Sequence, residues 1–210
     1  MSDWLHGIRV PPLSIAQLRE LAGVIRAGLH LSSVEPFPVP YFLEHALPKA
    51  IPEFDFAVVD ELPDGNEACA YPDGCTANPD GPFIELTTKV YEGACAGNGR
   101  DRLTVLHETS HVLLHRKVAV HHRGPRGEDL KAYENSEWQA NQLAAELLMP
   151  PASFSMHRSP HKFCRTMGVS RKAAEVRGNK LIERGDVASI AWLAASPTTT
   201  SEKEENMKPK

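Results

Sequence analysis

Hydrophobic residues recur at helical spacing along most of this chain. Ser14 and Gln17 form a capping box, and the apolar positions that follow them predict a helix from about residue 15. The same spacing predicts a long helix over residues 100–116 and another over residues 135–149, which two prolines end. Shorter helices are predicted at 41–47, after residue 89, at 161–167 and at 170–183.

Strand-like patterns occur only between residues 54 and 88. The segments "FDFAVVDE", "EACAYP" and "PFIELTT" predict three strands, separated by turns that contain Pro, Asp, Asn and Gly. Because the strands follow one another through turns, we expect a small three-stranded meander. Strands and helices occupy separate stretches of the chain, so the predicted fold class is α+β.

The composition is typical of a globular domain, with 41% hydrophobic and 24% charged residues. We predict one domain over residues 1–185 and a disordered tail over residues 195–210, where no apolar period remains. No apolar run approaches the roughly 20 residues that a membrane span needs. The N-terminus also lacks the basic and apolar segments of a secretory signal. A cytoplasmic protein without a membrane partner is therefore expected.

The four cysteines, Cys69, Cys75, Cys95 and Cys164, lack the paired spacing of a metal site. In a cytoplasmic protein they are expected to be reduced thiols, because that compartment keeps thiols reduced. A disulfide between Cys69 and Cys75 remains an open alternative.

Charge is distributed unevenly along the chain, whose net charge is −4. Residues 157–184 carry eight Lys and Arg against two Glu, a net +6, so the remainder carries about −10. The segment's helix, glycine turn and second helix could form a degenerate DNA-reading unit. The alternative is a helical pair that packs on the rest of the domain and has a basic outer face. We favour this alternative and do not expect specific DNA binding.

Chemistry is concentrated in "LTVLHETSH", which runs from Leu103 to His111. His107 and His111 lie four residues apart, so both can direct a ring nitrogen at one point beside a helix. Zinc accepts imidazole and, in catalytic sites, takes three protein ligands and keeps one open position for water. Glu108 follows the first histidine and is placed to accept a proton from that water. The spacing also arises by chance on amphipathic helices, so a third ligand must be found.

The candidates for a third ligand are His and Glu side chains downstream of the motif: His115, His121, His122, Glu128, Glu134 and Glu137. A rigid helix cannot bring His115 to the same ion, because the three histidines would span about 12 Å along it. His121 and His122 lie in a predicted loop and remain possible ligands. Glu137 and Asn141 are four apart on the next apolar helix. Glu137 as ligand, with Asn141 hydrogen-bonded to a ligand histidine, explains this polar pair best.

Two segments together resemble a known family. "GRDRLTVLHETSHVLLH" and the later "AYENSEWQANQLAAELLMP" resemble the ImmA/IrrE zinc peptidases, in which HExxH precedes a helix of the form E-x-x-A-N-x-x-A-A-x-L-L-M-P. The resemblance covers roughly residues 15–182. One departure is Ser110, which replaces a glycine that many members carry before the second histidine, and serine is small enough for that position.

The resemblance implies a thermolysin-like minimal zinc-peptidase core. In that fold a small three-stranded sheet packs against a mostly helical bundle that carries the HExxH helix and the glutamate helix. The resemblance implies one Zn²⁺ per chain, held by His107, His111 and Glu137, with Glu108 as the catalytic base. It also implies a protein substrate, typically a helix-turn-helix repressor or other regulator encoded nearby, and some members act in toxin–antitoxin pairs. The alternative is a zinc-stabilised binding module that docks a transcription factor or DNA without cleaving it.

Two further predictions concern the substrate. We expect a peptide to pair with the backbone of an edge strand at Phe83–Thr87, through Ile84, Glu85 and Leu86. Tyr133 and His115 are candidates to stabilise the oxyanion that forms when water adds to the carbonyl. Each of these two side chains is as readily explained by a structural role.

Overall fold

The structure is a computed structural model that describes residues 7–117 and 130–193. Three of the candidate third ligands, His121, His122 and Glu128, lie outside the described residues, as does the tail predicted over residues 195–210.

Helices make up most of the described chain. A π-helical turn, Phe42–Ala46, joins two short helices, Val39–Tyr41 and Leu47–Ala50. Short 3₁₀ segments occur at Pro63–Gly65, Ala132–Glu134 and Pro151–Met156. The α-helices are α1 (Ile15–Gly28), α2 (Val39–Tyr41), α3 (Leu47–Ala50), α4 (Thr88–Cys95), α5 (Gly99–His115), α6 (Ser136–Leu148), α7 (Pro160–Met167) and α8 (Arg171–Glu183).

Side-chain caps define where the main helices begin. The capping box predicted at Ser14 and Gln17 is present at the start of α1 and is thereby confirmed. The side-chain oxygens of Asn98 and Asn135 accept hydrogen bonds from first-turn N–H groups of α5 and α6. Ser170 caps α8 in the same way. These caps satisfy donors that the helices cannot satisfy internally, so they fix the starts of the two site-bearing helices.

The sheet contains β1 (Asp55–Val59), β2 (Ala68–Tyr71) and β3 (Phe83–Thr87), in the order β1-β3-β2. Strand β3 is parallel to β1 and antiparallel to β2. The α+β class is confirmed, but the predicted meander is wrong because β1 and β2 do not pair. Four of the five residues of β3 are buried, whereas β1 and β2 are at most half-buried. The most apolar strand therefore takes the centre, where both of its faces are covered.

The strand order also corrects the predicted substrate strand. Because β3 is paired on both sides, Ile84, Glu85 and Leu86 cannot offer a free edge to a peptide. The strand beside α5 is instead β2, which forms an edge of the sheet. The Thr87 N–H donates to the Glu67 carbonyl at 2.9 Å, so residue 67 is paired with β3. By the alternation of an antiparallel ladder, residues 68 and 70 direct their backbone groups outward.

One hydrophobic cluster joins the helices and the sheet. It includes Leu18 of α1, Leu106 of α5 and Leu147 of α6, and it reaches Ile190 and Trp192 beyond the last helix. Helices α7 and α8 contribute the fully buried side chains of residues 163 and 181. All four cysteines are unpaired. Within the described ranges, none of the helices combines the length and the apolar character that crossing a bilayer requires.

A cluster of buried ion pairs connects α8 with α6 and α1. Glu146 and Arg177 are 1% and 3% exposed, and their charged groups lie 2.7 Å apart. Arg19 of α1 also contacts the Glu146 carboxylate at 3.3 Å and pairs with Asp186 at 2.8 Å. Gln142 donates a further hydrogen bond to Glu146 at 2.9 Å. Because these charges are removed from water, the cluster is stable only while each charge has its partner.

We therefore predict that Glu146→Gln lowers the free energy of unfolding by about 3–5 kcal/mol, because it leaves a buried arginine without its counter-charge. Denaturant unfolding of the purified protein measures this change. The matched control is Glu183→Gln, the same substitution at an exposed position on α8. Equal stability of the two variants would show that the buried pair does not hold the helices together.

Candidate metal centre

Three side chains from two packed helices converge on one point. His107 and His111 lie one turn apart on α5, and Glu137 lies in the first turn of α6. The Nε2 atoms of the two histidines are 3.1 Å apart. One oxygen of Glu137 is 3.1 Å from His107 Nε2 and the other is 3.2 Å from His111 Nε2. The structure thus brings together two nitrogens and a carboxylate that are far apart in sequence.

The spacing of these atoms suits a metal ion. The ligand atoms all lie within 4.8 Å of one another. Tetrahedral coordination, with bonds of about 2.0–2.1 Å, separates neighbouring ligand atoms by roughly 3.3 Å. The side chains of His107, His111 and Glu137 are 18%, 12% and 29% exposed, so one side of the group is open to solvent. The group can therefore hold a metal ion and still admit a further ligand.

Hydrogen bonds around the start of α6 fix the position of Glu137. Its backbone N–H donates to the side-chain oxygen of Asn135 at 2.8 Å. The N-terminal segment runs alongside this turn, since the Val10 N–H donates to the Glu134 carbonyl and the Ser136 N–H donates to the Ile8 carbonyl. The first turn of α6 is therefore held from both sides.

His107 is oriented by Asn141, which lies one turn after Glu137 on α6. The Asn141 side-chain nitrogen donates to the Glu137 backbone carbonyl at 2.8 Å, which leaves its oxygen free to accept. That oxygen lies 3.2 Å from His107 Nδ1. A neutral ring that donates from Nδ1 presents the lone pair of Nε2, and this nitrogen faces His111 and Glu137.

His111 has a different partner, on its own helix. Its Nδ1 lies 3.0 Å from Nδ1 of His115, which is buried one turn further along α5. The other nitrogen of His115 lies 3.2 Å from the side-chain oxygen of Gln139 on α6. A chain of polar contacts therefore runs from Gln139 through His115 to the back of His111.

The ionisable side chains of this group shift one another's pKa values. Burial raises the pKa of the Glu137 carboxyl, but its hydrogen bonds to His107 and His111 outweigh burial and lower the pKa to about 2. Burial lowers the pKa of His107, while Glu137 and Glu108 raise it, and the net direction is upward. Burial, followed by the neighbouring His111, lowers the pKa of His115 to about 4. At neutral pH Glu137 is thus an anion and His115 a neutral ring.

Glu108 lies between the histidines and the sheet. Burial raises the pKa of its carboxyl, and the nearby His107 and His111 oppose that shift without cancelling it. The Ala70 backbone N–H of β2 donates a hydrogen bond to this carboxylate. Glu108 therefore lies between the two histidines and strand β2, with a raised affinity for protons.

The remaining predicted residues lie elsewhere. Both nitrogens of His115 are engaged, with His111 and Gln139, and the ring is only 5% exposed. Its position therefore disagrees with the predicted oxyanion role. Tyr133 is 41% exposed and its ring centroid lies 5.8 Å from the Lys131 ammonium, so its own oxyanion role stays a prediction. Glu134, a candidate third ligand, pairs instead with Arg9 at 3.2 Å.

Sequence reasoning missed two participants, Gln139 and the backbone of Ala70. Gln139 is 1% exposed and polar on an otherwise apolar helix, which is a signal that it has a specific partner. The partner could not be read from spacing, because it is a side chain of another helix. Ala70 contributes only its backbone, and a backbone contact leaves no mark on residue type.

A family comparison agrees with this geometry. Residues 83–178 match the family model Peptidase_M78, described as the IrrE N-terminal-like domain, whereas no curated protein matches the chain. The matched range contains His107, Glu108, His111 and Glu137, and the match supports a peptidase with a metal-binding group. The resemblance to the ImmA/IrrE family is thereby confirmed. Over residues 83–178, this chain therefore resembles the IrrE N-terminal-like domain of the Peptidase_M78 family.

Proposed function

We propose that this protein is a zinc-dependent endopeptidase that hydrolyses a peptide bond in a protein substrate. The observation that carries the proposal is the convergence of His107, His111 and Glu137 at ligand spacing beside the Glu108 carboxylate. Two imidazoles and one carboxylate, with one side open, form a donor set that catalytic zinc sites use. When bound there, zinc polarises the scissile carbonyl and activates water.

Glu108 has the position and the proton affinity that a general base needs. Its carboxylate adjoins the cluster without being part of the group of three ligands. Burial raises its pKa, so the carboxylate accepts a proton more readily than an exposed glutamate does. We assign it the transfer of a proton from the attacking water to the leaving amine. The oxyanion stabiliser is left as a prediction for Tyr133.

The outer edge of β2 offers a place for the substrate backbone. Ala68 and Ala70 direct N–H and C=O groups away from β3, as the ladder alternation requires. An extended peptide can add to such an edge as a further strand, and its main chain then supplies most of the recognition. Since Ala70 also contacts Glu108, a peptide bound along β2 passes the proposed base.

The substrate class follows from the family resemblance. We propose a regulator, such as a helix-turn-helix repressor encoded near this gene, as the protein that is cleaved in the cytoplasm. A toxin–antitoxin pairing is a related possibility within the same proposal. The competing hypothesis is a zinc-stabilised module that binds its partner without cleaving it. It predicts that the wild-type protein cleaves no peptide, so that Glu108→Gln changes no cleavage rate.

The first prediction concerns the metal. Purified protein should contain close to one zinc per chain, and Glu137→Ala should lower zinc affinity by more than the roughly 10–100-fold that losing an outer partner of a ligand costs. Elemental analysis and chelator competition measure both quantities. Glu134→Ala is the matched control, because Glu134 lies one turn away and pairs with Arg9. Full zinc retention by Glu137→Ala, combined with its loss in His121→Ala, would contradict the ligand assignment.

The second prediction concerns the base. Glu108→Gln should keep zinc content and thermal stability while peptide cleavage falls by about 10²–10⁴-fold, since the amide cannot accept the proton. Cleavage is measured by mass spectrometry on a candidate regulator or a proteome-derived peptide library. Glu92→Gln, at an exposed position on α4, serves as the control. A Glu108→Gln enzyme with the wild-type rate would refute this mechanism.

The third prediction concerns the edge strand. Ala68→Pro removes one outward N–H at the first residue of β2, a position where proline is tolerated. We expect kcat/KM for an extended peptide to fall by roughly 2–10-fold, the value of one net hydrogen bond, with zinc content unchanged. Ala68→Val keeps the N–H at similar side-chain size and should cleave normally. If both variants cleave equally well, the substrate does not pair with this edge at residue 68.

A further inference from the structure

We propose that Gln139 and His115 are positioning residues that fix the tautomer of His111, so that His111 Nε2 presents its lone pair to the metal. The inference rests on the proposed function, because it assumes that His111 is a metal ligand. It assigns the two residues a task through His111: His115 contacts that ring directly, Gln139 contacts His115, and neither is one of the three ligands.

Two backbone carbonyls fix the orientation of the Gln139 side-chain amide. Its side-chain nitrogen lies 2.8 Å from the carbonyl oxygen of Pro11 and 2.8 Å from that of Tyr133. A carbonyl oxygen can only accept, so both contacts require the NH₂ end of the amide. The side-chain oxygen must then point the other way, and it lies 3.2 Å from His115 Nε2.

This orientation sets the direction of the next two hydrogen bonds. The Gln139 oxygen can only accept, so His115 must donate from Nε2. A neutral imidazole has one donor and one acceptor nitrogen, which makes His115 Nδ1 the acceptor. His111 Nδ1, 3.0 Å away, must therefore donate. In the neutral ring that metal binding requires, the second nitrogen of His111 is then left with a lone pair, and it is the nitrogen that faces His107 and Glu137.

Because these contacts are buried, the tautomer of His111 depends on them. Gln139 and His115 are 1% and 5% exposed, so water does not readily replace a lost partner. The opposite tautomer of His111 would place a hydrogen on Nε2, where the metal must bind. It would also leave two acceptors facing each other between His115 and Gln139. The carbonyls of Pro11 and Tyr133 therefore set the direction of each hydrogen bond from Gln139 through His115 to the ligand His111.

The first test reads the tautomers in the wild-type, metal-free protein. Two-bond ¹H–¹⁵N spectra of ¹⁵N-histidine protein, recorded at alkaline pH where the rings are neutral, identify the protonated nitrogen of each imidazole. We expect a hydrogen on Nε2 of His115 and on Nδ1 of His111. The reverse assignment for either ring would overturn the proposal. No metal is needed, so this result stands or falls independently of whether the chain binds zinc.

The second test uses two variants of the same size at residue 115. His115→Asn retains an acceptor close to the position of Nδ1, whereas His115→Leu has the same shape and no acceptor. We expect the leucine variant to bind zinc about 10–100-fold more weakly than wild type, as is typical when an outer partner is lost. The asparagine variant should recover most of that loss. Both variants lose the contact to Gln139, so this cost cancels in the comparison.

Chelator competition gives the zinc affinities, and thermal unfolding shows whether the two variants are equally folded. Equal zinc affinity of the asparagine and leucine variants would mean that His115 acts only by packing, and would overturn the proposal. If wild type itself binds no zinc, the proposed function fails, and the tautomer spectra still decide the inference. If neither variant folds, the tautomer spectra of the wild-type protein still test the proposal.

Discussion

The packing of α6 against α5 is the contact on which the rest of the site depends. It carries Glu137 to within 3.1 Å of His107, Asn141 to its Nδ1, and Gln139 to His115. A single helix could supply two imidazoles but could not surround an ion, because further residues in the same row move away by about 5.4 Å per turn. The second helix supplies both the third ligand and the groups that orient the first two. The contact between α5 and α6 therefore both stabilises the fold and assembles the ligand group.

The two carboxylates near the histidines are driven in opposite directions. Interactions with the two imidazoles lower the pKa of Glu137 to about 2, whereas burial raises the pKa of Glu108. Carboxylates whose environments separate their pKa values commonly divide the tasks of a site. A permanently ionised carboxylate suits a cation, and a carboxylate that binds protons more readily suits proton transfer. This division supports the proposed roles of the two residues.

Local patterns predicted the helices well, because the spacing of apolar residues and the capping box at Ser14 are encoded within a few positions. They failed on the sheet, since the place of β3 between β1 and β2 depends on long-range burial. At the site, the shared helix face and the family resemblance indicated His107 and Glu137. Helical spacing placed His115 in the same row as His111 but could not predict its hydrogen bonds, because their direction depends on carbonyls elsewhere in the fold.

The unpaired edge of β2 also affects the colloidal behaviour of the protein. An open strand edge is a template for any extended chain, including a second copy or a partly unfolded neighbour. Strand β2 is only four residues long, and it follows Glu67, which pairs with Lys89 and Arg100. Short length and adjacent charge both limit strand-to-strand association. A peptide bound along this edge would cover it, so its occupancy would protect the folded protein against aggregation.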